Sequence, residues 1–260
     1  MQTKQSEWYK QWCLFEDNEL FLFKEWIQPY SLESFKKKNV LECGCGGGQH
    51  TSFIAPYAKS VTAVDLNTID IAKKRNINHK NIKFFEADIL TMDLKEKFDL
   101  IFSIGVIHHT DSPEKAIINM KKHLKKGGLL IAWVYSEEGN WLVKHVVDPL
   151  RRNMLVNIEK RKLFGLSKII TGMMYLPIYT IYLFPLTFLP FYEYFQNFRK
   201  LSFHRNTLNV FDKLNAPQVD FISKKRAKSF VSDMKDAKVI AYKGVSYSIS
   251  GVMKENADAE

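Results

Sequence analysis

The sequence predicts an α/β fold with a doubly wound, mostly parallel seven-stranded sheet, a terminal antiparallel hairpin and a helical cap insertion. Three observations predict it. Short apolar runs alternate with helical segments from Lys38 to Tyr135, the alternation stops at Trp141, and two strand-like runs follow residue 238. Nearly all-apolar strands that alternate with helices indicate a parallel sheet covered on both faces.

Each strand of the expected parallel sheet is a short apolar run. The runs cover residues 38–43, 60–65, 82–87, 98–104 and 128–135. Helices are expected between them at 49–57, 68–75 and 112–124. Ahead of the first strand lies an aromatic-rich segment with helical spacing. Asp17 and Asn18 are typical of a helix start, and Pro29 is typical of a helix stop.

The regular alternation ends at Trp141, and the pattern is helical and aromatic to about Phe203. A helix at 223–236 and two strands at 239–242 and 246–253 complete the expected fold. We therefore expect residues 1–140 and 222–260 to form one Rossmann-like domain and residues 141–221 to form a cap. An insertion after the fifth strand emerges at the edge where such sheets bind ligands.

The composition is that of a globular protein, with 46% apolar and 25% charged residues among 260. The cysteines, Cys13, Cys43 and Cys45, are too few for a disulfide framework, and no metal site is expected around them. Residues 1–10 are polar, so we expect no signal peptide and a cytoplasmic location. The net charge of +10 is spread along the chain, which favours a solvated surface over a nucleic-acid interface.

A glycine-rich loop follows the first strand and reads Glu42-Cys43-Gly44-Cys45-Gly46-Gly47-Gly48. Glycines suit a turn with positive φ that a ligand approaches closely, and a helix start behind it offers free N–H groups. A dinucleotide-binding loop would carry a further glycine where this chain has Gln49. The acid Glu42 just before the loop suits a ligand with a cationic amino acid tail. Both features disfavour a nicotinamide-dependent oxidoreductase.

The next strand ends carry further groups that an adenosyl amino acid requires. Asp65 ends the second strand, where its carboxylate can accept both ribose hydroxyls. Asp88 after the third strand can accept the adenine amine, and Ile89 can pack on the ring. The fourth strand adds Ser103 to Val106 at the same edge. The four strand ends together predict one cofactor site.

These residues lie in stretches that resemble the class I S-adenosylmethionine-dependent methyltransferases of the methyltransferase type 11 group. The stretches are VLECGCGGGQHT (40–51), VTAVDLN (61–67), FFEADIL (84–90), FDLIFSIGVIHHTDSPEKAI (98–117) and LKKGGLLIAWVY (124–135). The resemblance implies S-adenosylmethionine as cofactor and methyl transfer as the reaction.

The resemblance also assigns cofactor contacts. It implies that Glu42, Gly44 and Gly46 contact the methionine part, Asp65 the ribose, and Asp88 with Ile89 the adenine. The expected cofactor contacts also include Cys45, Gln49, Leu66, Ser103 and Val106. One residue departs from the usual pattern, because Glu42 stands where many relatives carry Asp.

Two histidines follow the fourth strand, beside the expected methyl group. A neutral imidazole can deprotonate an attacking hydroxyl or amine near neutral pH, so His109 is the first candidate general base and His108 the second. Packing of the loop is the alternative for both. Asp111 or Ser112 as a helix N-cap, with Pro113 at the first helical position, accounts for the residues that follow.

The acceptor side is less defined by the sequence. Candidate substrate-side residues follow the fifth strand and are Tyr135, Ser136, Glu137, Asn140 and Trp141. Residues 169–191 carry no charge, but their prolines disfavour one membrane-spanning helix. We expect this segment to cover the active site, with a homodimer contact or a peripheral membrane contact through its basic flanks as alternatives.

We therefore expect methyl transfer to a small or medium-sized, partly apolar acceptor under the cap. Two other acceptors remain open. An RNA or tRNA would use the basic surface, and a lipid-like or quinone-like molecule would be reached from a membrane surface. A fold that has lost its activity is the remaining, non-enzymatic alternative, which the intact set of strand-end residues disfavours.

Overall fold

The computed structural model describes Tyr9 and residues 19–155, 158–216 and 218–255. Its seven strands form one sheet in the order β3-β2-β1-β4-β5-β7-β6. Their bounds are β1 Asn39–Cys43, β2 Ser60–Asp65, β3 Ile82–Glu86, β4 Phe98–Ile104, β5 Leu124–Tyr135, β6 Lys235–Tyr242 and β7 Ser246–Val252. The expected helix start at Asp17 and Asn18, and Cys13, lie outside the described residues.

The helices lie between the strands and in the insertion. Their bounds are α1 Leu20–Trp26, α2 Gln49–Ile54, α3 Ile69–Arg75, α4 Pro113–Lys122, α5 Asp148–Leu150, α6 Lys160–Ile178, α7 Tyr192–Phe198, α8 Phe203–Asn215 and α9 Lys224–Ser229. Wide π-type turns flank α5 from Val143 to Leu155. Ser112 caps α4 by accepting a hydrogen bond from the Lys115 N–H, with Pro113 in the first turn, as the sequence predicts.

The pairing confirms the predicted sheet. β1 is parallel to β2 and β4, and the parallel pairs β2–β3 and β4–β5 extend the sheet on either side. β7 pairs antiparallel with both β5 and β6, so the antiparallel strand lies inside the sheet, next to the edge strand β6. The strand order reverses between β1 and β4, and ligands bind at such a switch point, beyond the carboxyl ends of the strands.

Two apolar cores cover the two faces of the sheet. Alternate residues of β5 enter opposite cores, with Leu129, Ile131 and Trp133 on one face and Leu130 and Ala132 on the other. A residue period of two directs side chains in this way in any strand. The first core also holds residues of α1 and α2, and the second holds residues of α4 and α9. The sheet is therefore covered by helices on both faces.

Two predicted elements differ from the structure. The helix expected at 223–236 ends at Ser229, and Lys235 already belongs to β6. The first half of β6 is exposed and includes a register shift between Lys235 and Lys238, so it lacks the apolar alternation that identifies a strand. The predicted helical pattern to Phe203 is also interrupted, because residues 179–191 form turns and a three-residue 3₁₀ helix, Ile181–Leu183, rather than an α-helix.

The uncharged segment 169–191 is divided between two conformations. Its first part completes α6, and the helix ends one residue after Pro177. Pro185 and Pro190 lie in the turns that follow. Within the described residues, no helix has both the length and the apolar character needed to cross a bilayer.

Candidate active site

The glycine loop between β1 and α2 has the backbone conformation that its sequence predicts. Gly44, Gly46 and Gly48 have φ values of 80°, 51° and 77°. At Gly48 an added Cβ would lie 2.6 Å from Asn76 Nδ2 and 2.9 Å from Ala72 Cα. Both the positive φ and the contact with α3 therefore require glycine at this position.

The loop is held by side chains that the sequence analysis did not single out. The Thr68 hydroxyl donates to the Gly46 carbonyl at 2.7 Å, and Arg75 Nε donates to the Gly47 carbonyl at 2.9 Å. Asn76 Nδ2 donates to the Gly48 carbonyl at 2.8 Å. With the carbonyls engaged on the side of α3, the loop keeps a fixed shape. A polar residue at the helix start and two at the helix end were the available sequence signal.

Glu42 lies at the base of this loop and is 1% exposed. One carboxylate oxygen, Oε2, accepts the Thr51 hydroxyl, while Oε1 has no hydrogen-bond partner among the described residues. Burial raises the pKa of Glu42 to about 8, although the Thr51 hydrogen bond acts in the opposite direction. A cationic group would satisfy the unpartnered oxygen, so the site fits a ligand that carries an ammonium group.

Asp65, at the end of β2, orients the loop from the neighbouring strand. Its Oδ2 accepts the Gly46 N–H at 2.9 Å, and its Oδ1 accepts the Asn67 N–H at 3.4 Å. The side chain is half-buried and Leu66 beside it is 40% exposed. A carboxylate in this position retains lone pairs for the hydroxyls of a ribose.

The predicted adenine contacts lie after β3. Asp88 is half-buried, and its Oδ1 accepts the Leu90 N–H at 2.8 Å. Ile89 is buried, and its carbonyl accepts the Asn119 side-chain amide at 3.1 Å. The turn is therefore fixed by hydrogen bonds, and the second Asp88 oxygen is the one to which an adenine amine would donate. These contacts stay predictions.

The remaining predicted cofactor residues surround the glycine loop. Val106 packs against Gly44, where an added Cβ would lie 2.4 Å from its Cγ1. The buried Ser103 hydroxyl donates to the Cys43 carbonyl at 2.8 Å and so joins β4 to β1 beneath the site. Cys45 is buried and burial raises the pKa of its thiol. Gln49 is buried with Oε1 unpartnered among the described residues.

A cavity of about 170 Å³ opens from the glycine loop toward the insertion. Gln49 and His50 line it on the loop side, and Ile104 and Gly105 line it from the end of β4. Its apolar wall is built by aromatic and aliphatic side chains from α1, the sheet and the insertion, including Leu22, Trp26, Trp133, Phe191, Phe198 and Leu201. The cavity therefore lies beside the glycine loop, between the carboxyl edge of the sheet and the insertion.

The two histidines after β4 have different surroundings. His109 lines the cavity, and its Nδ1–H donates to the Gln218 carbonyl at 2.7 Å. Burial lowers the pKa of His109, against the opposing effect of the Asp212 carboxylate. His108 is fully buried, and neither ring nitrogen has a hydrogen-bond partner in the described part of the chain. Burial lowers the pKa of His108 as well.

His50 is the second residue of α2, directly behind the glycine loop. Its ring stacks on Phe23 at a centroid distance of 5.0 Å, and its Nδ1 lies 3.9 Å from Glu42 Oε1. It also lines the cavity. His50 therefore packs against α1 while its polar edge faces the Glu42 carboxyl group.

The residues after β5 divide between the cavity and the surface. Tyr135 and Asn140 line the cavity, and Ser136 is buried. Glu137 forms an ion pair with Lys144. Trp141 is 62% exposed and stacks on His145. Only part of the predicted substrate-side group thus faces the cavity.

A polar face of α8 completes the cavity and was missed by the sequence analysis. Its lining residues are Arg205, Asn209, Asp212 and Lys213. The Tyr135 hydroxyl donates to Asp212 Oδ2 at 3.1 Å, which links β5 to this helix. Burial, and then the nearby Asp212 charge, hold the pKa of Tyr135 well above its usual value. The spacing of these residues on one helix face was the available signal.

Comparison with known proteins locates the similarity in the sheet half of the chain. A family model described as a methyltransferase domain matches residues 41–132. A tRNA U34 carboxymethyltransferase of Pseudoalteromonas atlantica is 30% identical over 121 residues, which are 45% of this chain and 37% of that protein. A ubiquinone biosynthesis O-methyltransferase of Coxiella burnetii is 34% identical over 105 residues, which are 37% of this chain and 43% of that protein. The chain thus covers less than half of either relative.

A solved structure extends the likeness in fold to most of the chain. The N-methyltransferase NodS from Bradyrhizobium japonicum WM9 aligns over 93% of this chain and 100% of its own, with a TM-score of 0.53 and 17% identity. At that identity the alignment supports the fold alone. The sheet order, the glycine loop and the acids at the strand ends agree with the family match.

Proposed function

Since the chain belongs to the class I S-adenosylmethionine-dependent methyltransferases, we propose that it transfers a methyl group from S-adenosylmethionine to a small or medium-sized, partly apolar acceptor. The observation that supports this proposal is the position of the cavity. It borders the glycine loop at Gln49 and His50 and continues between an apolar wall and the polar face of α8. Such a mixed lining suits a small organic molecule.

The cofactor supplies a methyl group on a sulfonium sulfur, which is a good leaving group. Glu42 would hold the ammonium group of the methionine part, and Asp65 would accept the ribose hydroxyls. The cavity walls would exclude water and hold the acceptor in line with the methyl carbon, and such alignment can account for much of a rate enhancement. Methyl transfer of this kind needs no further cofactor.

His109 is the residue that would accept a proton from an acceptor hydroxyl or amine. Because its Nδ1–H donates to the Gln218 carbonyl, Nε2 carries the lone pair. Its lowered pKa keeps the ring neutral at physiological pH. His108 packs between His109 and Tyr135, at centroid distances of 4.2 and 4.4 Å, and would keep the loop in place.

The test begins with the cofactor. Calorimetry should detect one molecule of S-adenosylhomocysteine per chain, and Asp65→Ala should weaken binding at least tenfold by removing an acceptor of two ribose hydroxyls. The matched control is Asp93→Ala, an exposed acid paired with Lys95. Transfer of labelled methyl groups to small acceptors from a cell extract then tests the reaction. Absence of cofactor binding would rule out the proposal.

An RNA acceptor is the first alternative, supported by the likeness to tRNA-modifying proteins and by the net charge of +10. RNA binding would fall steeply with salt because counterions are released on association. Methyl transfer that is insensitive to salt between 50 and 200 mM (roughly tenfold or more loss is expected for an RNA acceptor) would favour the small molecule.

A membrane-surface reaction on a lipid-like acceptor is favoured by one specific observation. The turns after α6 expose large apolar side chains, with Leu183 57%, Phe184 63% and Phe188 80% exposed. On α6 itself, Lys162 lies on the same helical stripe as Ile169 and Met173, which are 63% and 71% exposed. Exposed apolar side chains next to a lysine are suited to binding an anionic bilayer surface. We propose a cytoplasmic protein with this peripheral contact, and a homodimer through the same surface is the competing arrangement.

A further inference from the structure

Lys213 lines the cavity and lies between two tyrosine side chains. It lies on α8, half-buried, with Nζ 3.2 Å from the Tyr194 hydroxyl, to which it donates. Nζ is also 5.3 Å from the Tyr194 ring centroid and 5.5 Å from that of Tyr135. Within the described ranges no carboxylate forms an ion pair with it. The ammonium group is therefore held by aromatic rings at the cavity wall.

Burial of a cation is unfavourable unless an anion or hydrogen-bond acceptors compensate. Two tyrosine rings and one hydroxyl compensate only in part, because cation–π contacts contribute modestly and Nζ has three hydrogens to donate. An anionic group on a ligand would complete the environment of Lys213.

The charges around the cavity also favour an anionic ligand. Arg205, 9% exposed, lies on the same face of α8 two turns before Lys213. Among the described residues that line the cavity, Asp212 is the one carboxylate, and it accepts the Tyr135 hydroxyl. Two cations thus face one anion. His109 adds no positive charge, because its pKa lies below the ordinary value.

We infer that the acceptor carries an anionic group, a carboxylate or a phosphate, which Lys213 binds while the apolar part of the acceptor packs against the wall formed by Trp26, Trp133 and Phe198. This inference rests on the proposed methyl transfer and specifies its substrate class. Lys213 sets specificity by binding the anionic group, and it takes no part in the methyl transfer itself.

The test uses probe pairs with one anionic and one neutral member, titrated into the full chain loaded with S-adenosylhomocysteine. The first pair is 4-hydroxybenzoate and 4-hydroxybenzamide, and the second is phenyl phosphate and phenol. At least one anion should bind tenfold or more tightly than its neutral partner, as expected for a charge-assisted hydrogen bond. The pair that shows the difference tells a carboxylate from a phosphate. No preference in either pair would overturn the inference.

Lys213→Met should abolish the preference, with a loss of about 10- to 100-fold in affinity for the anion and little change for the neutral probe. Lys168→Met is the matched control, because Lys168 also lies over a ring, 5.2 Å from the Phe164 centroid, but outside the cavity. The preference should survive in that variant. Survival in Lys213→Met as well would contradict the inference.

Two further measurements separate this inference from the proposed function. Affinity for S-adenosylhomocysteine should be unchanged in Lys213→Met, and a parallel loss would mean that Lys213 serves the cofactor instead. The labelled product from a cell extract should be retained on an anion-exchange resin at neutral pH. A neutral or cationic labelled product would refute the anionic acceptor while leaving methyl transfer intact, whereas absence of cofactor binding would refute methyl transfer itself.

Discussion

The carboxyl group of Glu42 is buried at the base of the glycine loop, and burial raises its pKa from 4.5 to about 8. Below pH 8 the cofactor-free protein therefore holds a proton on this group. Pairing with an ammonium group requires the ionised form, so cofactor binding releases the proton. One residue thus links cofactor affinity to pH.

Affinity for S-adenosylhomocysteine should rise with pH up to about 8, by at most about tenfold per unit, and then level off. Calorimetry in buffers of different ionisation enthalpy would count the released proton. Glu42→Gln should bind more weakly and without this pH dependence. A wild-type affinity that is constant from pH 6 to 8 would disprove the linkage. In the cofactor-free protein the sign is opposite, since ionisation of a group with a raised pKa lowers stability as pH rises through 8.

The His109 imidazole is the second residue whose protonation affects the reaction. His109→Asn should lower kcat by about 100- to 10,000-fold for an alcohol or amine acceptor, with cofactor affinity unchanged. Because its pKa is lowered, the acidic limb of the wild-type rate profile should lie below pH 6.5. An acidic limb above pH 7, or full activity of the variant, would exclude His109 as the base.

Among the secondary-structure elements, α3 supports the glycine loop from behind. Asn76 Nδ2 donates to both the Gly48 and the Ala72 carbonyls, at 2.8 and 3.0 Å, and the residue is 2% exposed. Asn76→Ala should therefore lower the free energy of unfolding by about 1–3 kcal/mol, because two buried carbonyls lose a donor. Urea denaturation measures the change. Asn78→Ala, the same change at an exposed site, should cost little.

Two glycines have different surroundings, and these determine whether a substitution by alanine stabilises or destabilises the protein. At Gly139 an added Cβ would lie 1.4 Å from the Gly244 carbonyl oxygen in the turn between β6 and β7, whereas at Gly165 in α6 nothing lies within 4 Å. Gly139→Ala should therefore destabilise the protein by several kcal/mol. Gly165→Ala should stabilise it by about 0.5–1 kcal/mol through helix propensity. In thermal unfolding, Tm should fall for Gly139→Ala and rise for Gly165→Ala. Equal shifts of Tm in the two variants would contradict the predicted difference.

The extent to which the sequence predicts the structure also differs between elements. The sequence predicts that Glu42 and Asp65 lie at one edge of the sheet, because they stand at or next to the end of an apolar run and strand ends in a parallel sheet meet at one edge. The cavity face of α8 was not identified, because helical periodicity shows that a face exists but not what it packs against. The start of β6 was missed because Lys235 to Lys238 are exposed and carry no apolar alternation.

At the scale of the whole molecule, one polar cluster joins three regions of the chain. The Tyr242 hydroxyl of β6 donates to Glu25 of α1, and Asn197 Nδ2 of α7 donates to that hydroxyl at 2.7 Å. Burial raises the pKa of Tyr242 above its ordinary value, so the hydroxyl keeps its proton. The cluster holds the N-terminal helix, the insertion and the sheet edge together beside the cavity.

The exposed apolar turns after α6 predict that the whole molecule binds to a membrane surface. The protein should float with vesicles that contain anionic lipid, and less so at high salt. Phe184→Ser with Phe188→Ser should weaken binding about tenfold or more, because each phenylalanine contributes apolar area. Phe85→Ser, on the edge strand β3 and 43% exposed, is the control. A dimer that the double substitution dissociates, without vesicle binding, would show that a second copy covers the surface.

The segment from Gln218 to Ile222 leads the chain out of the insertion and is hydrogen-bonded to the loop after β4 and to the end of β5. The Asp220 N–H donates to the His108 carbonyl at 2.8 Å, and the Ile222 N–H donates to the Tyr135 carbonyl at 3.0 Å. The Gln218 carbonyl also accepts a hydrogen bond from His109 Nδ1–H. The segment therefore holds the imidazole in a fixed orientation. A chimaera that exchanged residues 141–217 for a foreign insertion would keep this segment, and the imidazole should therefore stay aligned. Acceptor choice and proton transfer are in this sense separable parts of one chain.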